Sequence, residues 1–127
     1  MIVGIGLDLV DIPRVERMLR VHGQRAMRRL FTSGEIEYAR RHADVARHFA
    51  ARIAAKEATY KALAGTPGAR GIAWTDIEVV THSDGRPALV LHGAAERRAD
   101  ELGVRRWWVS LTHSDATAGA VVVLESA

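Results

Sequence analysis

The chain contains no cysteine, which excludes disulfide bonds and thiolate metal sites. A protein without disulfides fits a reducing compartment, and we predict a cytoplasmic location. Long apolar runs are also absent, since no stretch approaches the ~20 residues that a membrane-spanning helix requires. The N-terminal stretch lacks the basic region of a signal peptide and reaches Asp8 early. We therefore expect a protein that is neither exported nor bound to a membrane.

Lysine is scarce, because Lys56 and Lys61 are the only two lysines and arginine supplies the other positive charges. The formal net charge of +3 favours an acidic partner or a phosphorylated ligand. It does not distinguish among nucleic acid, a nucleotide and an acidic protein. The length of 127 residues and the hydrophobic content of 48% predict one globular domain over residues 1–127.

Hydrophobic periodicity and turn residues predict a strand, then helices, then a strand-rich half with one further helix. The predicted strands cover residues 2–10, 76–82, 87–92, 106–113 and 116–124. The predicted helices cover residues 13–21, 24–30, 45–64 and 93–102, and another one runs from a capping box at residues 32–35 to about residue 42. Gly23 is expected to stop or bend the first helix. This order predicts an α+β fold.

The first predicted strand carries a carboxylate in an apolar setting. Alternation places two sets of side chains on opposite faces, Val3, Ile5, Leu7 and Leu9 on one and Ile2, Gly4, Gly6, Asp8 and Val10 on the other. The glycines beside Asp8 leave room for another group to approach closely.

The long predicted helix has a similar feature. At 100° per residue its apolar stripe consists of Phe49, Ile53, Tyr60 and Ala64. Glu57 lies at the edge of the stripe, and Lys61 lies further round. A carboxylate there needs a partner, which is Lys61, an arginine or a divalent cation. If the strand packs on this helix, Asp8 and Glu57 can share one Mg²⁺, with Lys61 next to a phosphate.

The early helix alternates basic and apolar groups along one side. These residues are Arg14, Arg17, Met18 and Val21, followed by Arg25 and Arg28 beyond Gly23. Two interpretations are open, a solvated helix face or a docking surface for an acidic, amphipathic partner helix.

Three segments together resemble a known family. They are residues 4–12 (GIGLDLVDI), 49–62 (FAARIAAKEATYKA) and 109–114 (VSLTHS). They are similar to the signatures of holo-[acyl-carrier-protein] synthase, the short bacterial group of 4′-phosphopantetheinyl transferases, and the resemblance covers essentially the whole chain. It implies transfer of phosphopantetheine from coenzyme A to a serine of apo-acyl carrier protein, with release of adenosine 3′,5′-bisphosphate. Fatty acid biosynthesis is the predicted pathway. The resemblance also implies a trimer with active sites between subunits, in which a long helix packs on an antiparallel sheet.

The resemblance also implies the site residues. Asp8 and Glu57 match the magnesium ligands, and Lys61 matches a lysine near the pyrophosphate. The positions that match the coenzyme A region are Arg52, Lys56, Gly65, Thr66 and His113. The carrier protein is expected to meet the basic position Arg14, and Met18, Arg25 and Arg28 extend that surface. Where the family often has a third glycine, this chain has Pro67, which lacks an amide proton.

The proton acceptor for the carrier serine is predicted to be Glu57, either directly or through a metal-bound water. Two rival functions remain open. One is an RNA-binding module, for which only residues 105–108 (RRWW) offer aromatic groups among basic ones. The other is a non-catalytic subunit that binds a nucleotide, against which the intact Asp8, Glu57 and Lys61 argue. We expect no nucleic-acid partner.

Overall fold

The computed structural model describes residues 1–63 and 71–127. The elements of the described residues, numbered separately for strands and helices in chain order, are β1 (Ile2–Asp11), α1 (Ile12–Leu30), α2 (Ser33–Arg40), α3 (Val45–Leu63), β2 (Ile77–Thr81), β3 (Pro87–Leu91), α4 (Gly93–Glu101), β4 (Val104–His113) and β5 (Thr117–Ser126). The predicted order of elements and the α+β class are confirmed. A short 3₁₀ turn at Trp74–Asp76 was not predicted. Among the described helices, none combines the length and apolar character that crossing a bilayer requires.

The strands form two antiparallel sheets. The larger sheet has the order β1-β5-β4, and the smaller one pairs β2 with β3. In the larger sheet Asp8 lies opposite Ala120 on β5, and His113 lies opposite Ala118 from the other side. The C-terminal strand β5 is therefore central, and the strand that carries Asp8 is at an edge.

Helix α3 lies directly on the larger sheet because two glycines allow it to approach. A Cβ atom added to Gly6 would lie 1.7 Å from the carbonyl oxygen of Ala58, and one added to Gly4 would lie 2.4 Å from that of Ala62. Only glycine fits at such distances. Asp8 follows Gly6 on the same face of β1, so this packing turns the carboxylate towards α3. The predicted packing of the long helix on the sheet is confirmed.

The other face of β1 is apolar and exposed. Ile5, Leu7 and Leu9 are 61%, 64% and 68% exposed, and Trp108 on β4 is 56% exposed. Leu7 pairs with Val121 of β5, which is also exposed, so the apolar surface continues across the sheet. The alternation of side chains along the predicted strand correctly placed Ile5, Leu7 and Leu9 on one face. The core, however, uses the glycine face, because a helix can reach the backbone there.

The helices in the first half follow their local signals. Gly23 has φ 56° and ψ −137°, which bends α1 as predicted. The capping box that opens α2 is present, since Thr32 N donates to Glu35 Oε1 at 2.9 Å and Glu35 N donates to Thr32 Oγ1 at 3.2 Å. The predicted stripe of α3 is only partly correct. Phe49 and Ile53 are buried, but Tyr60 is 43% exposed and lines a cavity at the end of the helix.

Candidate active site

Asp8 and Lys61 form an ion pair between β1 and α3. Lys61 Nζ donates to Asp8 Oδ1 at 2.8 Å and to the carbonyl oxygen of Leu7 at 3.2 Å. The Asp8 side chain is 12% exposed, and that of Lys61 is 55% exposed. The second carboxylate oxygen, Asp8 Oδ2, is buried and accepts no hydrogen bond from residues 1–63 or 71–127. Lys61 is thus the partner of Asp8, and one oxygen remains without a partner.

Glu57 lies close to Asp8, as the predicted sharing of one ion requires. The pKa of Glu57 is raised to about 7, first by a side-chain hydrogen bond with Asp8, then by burial and charge repulsion. The positive charges of Lys61 and Arg14 oppose this rise. Burial raises the pKa of Asp8, but the interactions with Glu57 and Lys61 outweigh it and hold that pKa below its usual value. By strict geometry Asp8 Oδ2 accepts no hydrogen bond in the described chain.

The two carboxyl groups suit Mg²⁺. This ion usually takes one or two carboxylates, keeps several waters and completes its shell with substrate phosphates. Within the described residues Asp8 Oδ2 is an unsatisfied acceptor, and the neighbouring Glu57 carboxyl group has a pKa raised to about 7. A cation between them would give Asp8 Oδ2 a partner and replace the proton on Glu57. In the part of the chain that the structure describes, no cluster of three or more His, Cys, Asp or Glu side chains could hold a metal alone. The residues therefore fit an ion that a substrate helps to bind.

Lys56 is held inside the protein by its ammonium group. Its side chain is 1% exposed, and its three donors are directed at Glu35 Oε1 at 2.8 Å, the carbonyl oxygen of Trp74 at 2.9 Å and that of Ile77. Burial lowers the pKa of Lys56, and the Glu35 charge opposes this effect. No donor remains for a ligand phosphate. Lys56 lines the same cavity as Glu57 and Lys61, but its ammonium group is engaged inside the protein. Its expected contact with coenzyme A stays a prediction.

Arg52 and His113 line a different cavity, of about 700 Å³. Arg52 is 3% exposed, and its Nη2 donates to Thr81 Oγ1 at 3.3 Å. Its guanidinium carbon lies 4.3 Å from the centre of the Tyr38 ring, and its buried Nε has no partner among the described residues. His113 is exposed at the end of β4. Neither Glu57 nor Lys61 lines this cavity, so one copy of the chain separates the predicted ligand residues into two places.

Sequence reasoning missed most of the wall of this cavity. Tyr38, Arg47, His48 and Arg86 also line it. The pKa of His48 is lowered to about 4 by burial and then by the positive charges of His42, Arg52 and Arg47. A pocket with this much positive charge suits a phosphorylated ligand. The sequence feature that could have indicated this wall is the spacing of His48 and Arg52, which lie one helical turn apart on the same side of α3.

A groove of about 480 Å³ runs along α1 and reaches Glu57. Arg14 and Met18 line it, as predicted for the partner surface, and Arg25 lines an adjoining pocket with Met18. Arg28 is exposed, and Arg29 lines that pocket in its place. The difference arises at Gly23, because its non-helical backbone breaks the periodicity used to place residues beyond it. The predicted ligand residues Gly65 and Thr66 lie outside the described residues.

Comparisons with known proteins agree on one family. The family model described as "4′-phosphopantetheinyl transferase superfamily" matches residues 4–119. A holo-[acyl-carrier-protein] synthase from Solibacter usitatus is 44% identical over 126 residues, which covers 99% of this chain and 100% of that protein. One from Herpetosiphon aurantiacus is 47% identical over 123 residues, covering 93% of this chain and 94% of the relative.

Solved structures of the same family share the fold. The holo-[acyl-carrier-protein] synthase from Neisseria meningitidis has a TM-score of 0.86 at 28% identity and covers 99% of this chain and 100% of its own. A synthase from Bacillus anthracis, solved in complex with CoA (3′,5′-ADP), has a TM-score of 0.80 at 33% identity, with 100% and 99% coverage. The similarity spans both the β1–α3 contact and the cavity around Arg52.

Proposed function

Because the chain belongs to the 4′-phosphopantetheinyl transferase superfamily, we propose that it transfers the 4′-phosphopantetheine group of coenzyme A to a serine of an apo-acyl carrier protein. The released product is adenosine 3′,5′-bisphosphate, and the carrier serves fatty acid biosynthesis in the cytoplasm. The observation that carries this proposal is the meeting of Asp8, Glu57 and Lys61 where β1 lies on α3. Two acids that can hold a metal ion and one ammonium group suit the positioning and charge stabilisation on which phosphoryl transfer depends.

Asp8 and Glu57 are the residues that would hold Mg²⁺. When bound, the ion would offset negative charge on the diphosphate of coenzyme A and on the group that leaves. Asp8 is kept ionised by Lys61 and by its proximity to Glu57, so it provides a permanent negative charge for the ion. The support for this assignment is Asp8 Oδ2, which is buried and has no hydrogen-bond partner among residues 1–63 and 71–127.

The reaction is a displacement at the β-phosphorus of coenzyme A. The serine oxygen of the carrier forms a bond to this phosphorus, the bond from phosphorus to the bridging oxygen breaks, and the α-phosphate leaves with the adenosine part. Glu57 accepts the serine proton, directly or through a water, and in the metal-free protein its pKa is raised to about 7 by Asp8 and burial. Lys61 presents an exposed ammonium group beside Asp8 and stabilises charge that grows on the phosphate oxygens.

We assign the cavity at Arg52 and His113 to the nucleotide part of coenzyme A. It is lined by arginine and histidine side chains, and Arg52 keeps a buried, unpartnered Nε among the described residues. The Bacillus anthracis relative, which was solved with coenzyme A or its 3′,5′-ADP part, supports a nucleotide site in this fold.

The carrier protein is assigned to the groove along α1. Arg14 and Arg17 offer positive charge, Met18 and Val21 offer apolar surface, and the groove opens on Glu57. An acidic, amphipathic helix of the carrier would therefore bring its serine to the proposed base.

A homotrimer explains two features of the single chain. The exposed side chains of Ile5, Leu7, Leu9 and Trp108 form an apolar surface that a second copy can cover. The cavity of Arg52 and His113 is separate from Glu57 and Lys61 within one copy, and contact between copies can join them into one site.

The deciding experiment incubates the protein with an apo-carrier, coenzyme A and Mg²⁺, followed by measurement of the intact carrier mass. We expect a gain of one phosphopantetheine group, abolished by a chelator and absent when the carrier serine is changed to alanine. If the carrier mass stays unchanged under conditions in which a known transferase modifies it, the proposed function is wrong.

A further inference from the structure

Two ionisable groups in the core are unused by the proposed mechanism. Glu35 on α2 and Lys56 on α3 are each 1% exposed, and Lys56 Nζ lies 2.8 Å from Glu35 Oε1. A buried ion pair is often no more stable than apolar residues of the same size, because both charges lose their hydration. The pair therefore needs an explanation beyond stability.

Each group of the pair is fully occupied by backbone partners. Glu35 accepts from Thr32 N at 2.9 Å through Oε1 and from Val79 N at 2.9 Å through Oε2. Lys56 donates to the carbonyl oxygens of Trp74 and Ile77. Four separate parts of the chain, α2, α3, the 3₁₀ turn and β2, are thus joined at one point.

The segment held by Lys56 forms a wall of the active site. A cavity of about 430 Å³ adjoins Glu57 and Lys61. Residues at positions 72–77 form its opposite side, contributed by Ile72, Ala73, Trp74 and Ile77. Lys56 is the neighbour of Glu57 on α3, so the same helical turn carries the proposed base and fixes the wall that faces it.

We propose that Glu35 and Lys56 are positioning residues, which hold residues 72–77 at the distance from Glu57 and Lys61 that the transfer of phosphopantetheine requires. The expected loss of activity rests on the proposed function. The expected loosening of residues 72–77 rests only on the hydrogen bonds that hold them. If the wall moves away, coenzyme A is held less well beside the two reacting side chains. A shift of about 1 Å in such a site lowers the rate by about 100-fold. The groove of α1 is lined mainly by that helix, and Trp74 is the one residue of positions 72–77 that reaches it.

The test is the double variant Glu35→Leu, Lys56→Met, which removes both charges and keeps an apolar core. The matched control is Phe49→Leu, another fully buried position on α3, whose ring pairs with Phe31 and forms no hydrogen bond to residues 72–77. We expect kcat/KM for coenzyme A to fall by about 10-fold or more in the double variant, with KM for the carrier changed by less than about threefold. The control should keep both values, even if its melting temperature is lower. Wild-type kinetics in a folded double variant would overturn the proposal.

Hydrogen–deuterium exchange tests the positioning without any activity. Peptides that cover residues 72–77 should exchange faster in the double variant than in Phe49→Leu, whereas peptides from β5 should not differ. Equal exchange at residues 72–77 would refute the role of the pair, even if transfer by the wild-type protein itself were never observed. If the double variant does not fold, Glu35→Gln takes its place, because glutamine has the same size and retains one acceptor. The exchange and kinetic results expected for the double variant then apply to Glu35→Gln.

Discussion

The neighbours of Glu57 determine both its pKa and its position between two cavities. Asp8 and burial raise its pKa to about 7, so the group exchanges protons near neutral pH, and the residue lies where the α1 groove and the cavity at Lys61 meet. A carboxylate in this position can act on two substrates that arrive from different sides. Lys61 keeps Asp8 ionised at the same time, so the two acids differ in charge although they are neighbours.

We expect Glu57→Gln to keep the fold and to reduce turnover by about 100-fold or more, because the amide neither accepts the serine proton nor offers a charge to Mg²⁺. The measurement is the initial rate of carrier modification by intact mass, and circular dichroism confirms folding. Glu96→Gln, an exposed position on α4, is the control and should be fully active. A folded Glu57→Gln protein that transfers at the wild-type rate would remove the proposed role.

The raised pKa of Glu57 also predicts how stability depends on pH. In the metal-free protein the folded state keeps a proton on Glu57 between its usual pKa of 4.5 and about 7, whereas the unfolded state releases it. The contribution of Glu57 to stability therefore falls as the pH rises through this window. Asp8 has a lowered pKa, and its contribution is already complete above its usual value of 3.8.

Removing the acid at position 57 should remove this dependence. The melting temperature of Glu57→Gln relative to wild type should increase from about pH 5 to about pH 8 in the absence of metal. The measurement is thermal unfolding at several pH values with a chelator present. For the control Glu96→Gln, the melting temperature relative to wild type should stay constant over this pH range. A constant value for Glu57→Gln would show that Asp8 does not raise the pKa of Glu57.

At the level of elements, the sequence predicted the order of helices and strands and the approach of β1 to α3. Glycines at positions 4 and 6 were visible as gaps in an apolar strand, and Asp8 followed in register. The burial of Lys56 could not be predicted, because its partner Glu35 lies on another helix and was already explained by the capping box at Thr32. Likewise, the exposure of Leu7 depends on which face of the sheet the helix covers, and alternation alone does not decide this.

The contact between β1 and α3 is sensitive to one methyl group. Gly6→Ala would place a Cβ atom 1.7 Å from the Ala58 carbonyl oxygen, so strand and helix must separate. We expect a loss of about 1–3 kcal/mol or more in the free energy of unfolding. Transfer activity should fall as well, since Asp8 moves away from Glu57. Chemical denaturation and rate measurements check both effects.

Gly34→Ala is the matched control for that substitution. The added Cβ atom there would lie 3.2 Å from the Glu78 carboxylate oxygen Oε2 and 3.9 Å from Thr32 Oγ1, with no backbone atom in close contact, at an exposed position in α2. Stability should remain close to wild type in this variant. If Gly6→Ala behaves like Gly34→Ala, the close packing of β1 on α3 does not determine the geometry of the site.

Helix α1 should act mainly on carrier binding. Arg14→Glu reverses a charge in the groove, so we expect KM for the carrier to rise by about 10-fold or more, with a much smaller change in kcat. Arg97→Glu makes the same charge change on an exposed part of α4 and should have little effect. Steady-state kinetics with varied carrier concentration distinguish the two. An unchanged KM in Arg14→Glu would exclude the α1 groove as the docking surface.

At the scale of the whole molecule, two groups of residues that the proposed reaction requires lie in separate cavities. Glu57 and Lys61 face the cavity bounded by residues 72–77, whereas His113 faces the cavity of Arg52. The exposed apolar side chains of β1 lie on the face of the sheet opposite α3, and β1 and β4 are the outer strands of that sheet. A trimer closed through this surface would bring His113 of one copy towards Glu57 of the next one.

Mixed trimers test this arrangement directly. Glu57→Gln and His113→Ala should each have low activity as pure proteins. When the two chains are co-expressed with different tags in equal amounts, a site built from two copies recovers both native side chains in about a quarter of cases. Activity of the mixture should therefore rise well above that of either variant, and light scattering should report three copies per particle. If the mixed particles are trimers but activity is not restored, each site lies within one copy of the chain, and the apolar face serves assembly alone.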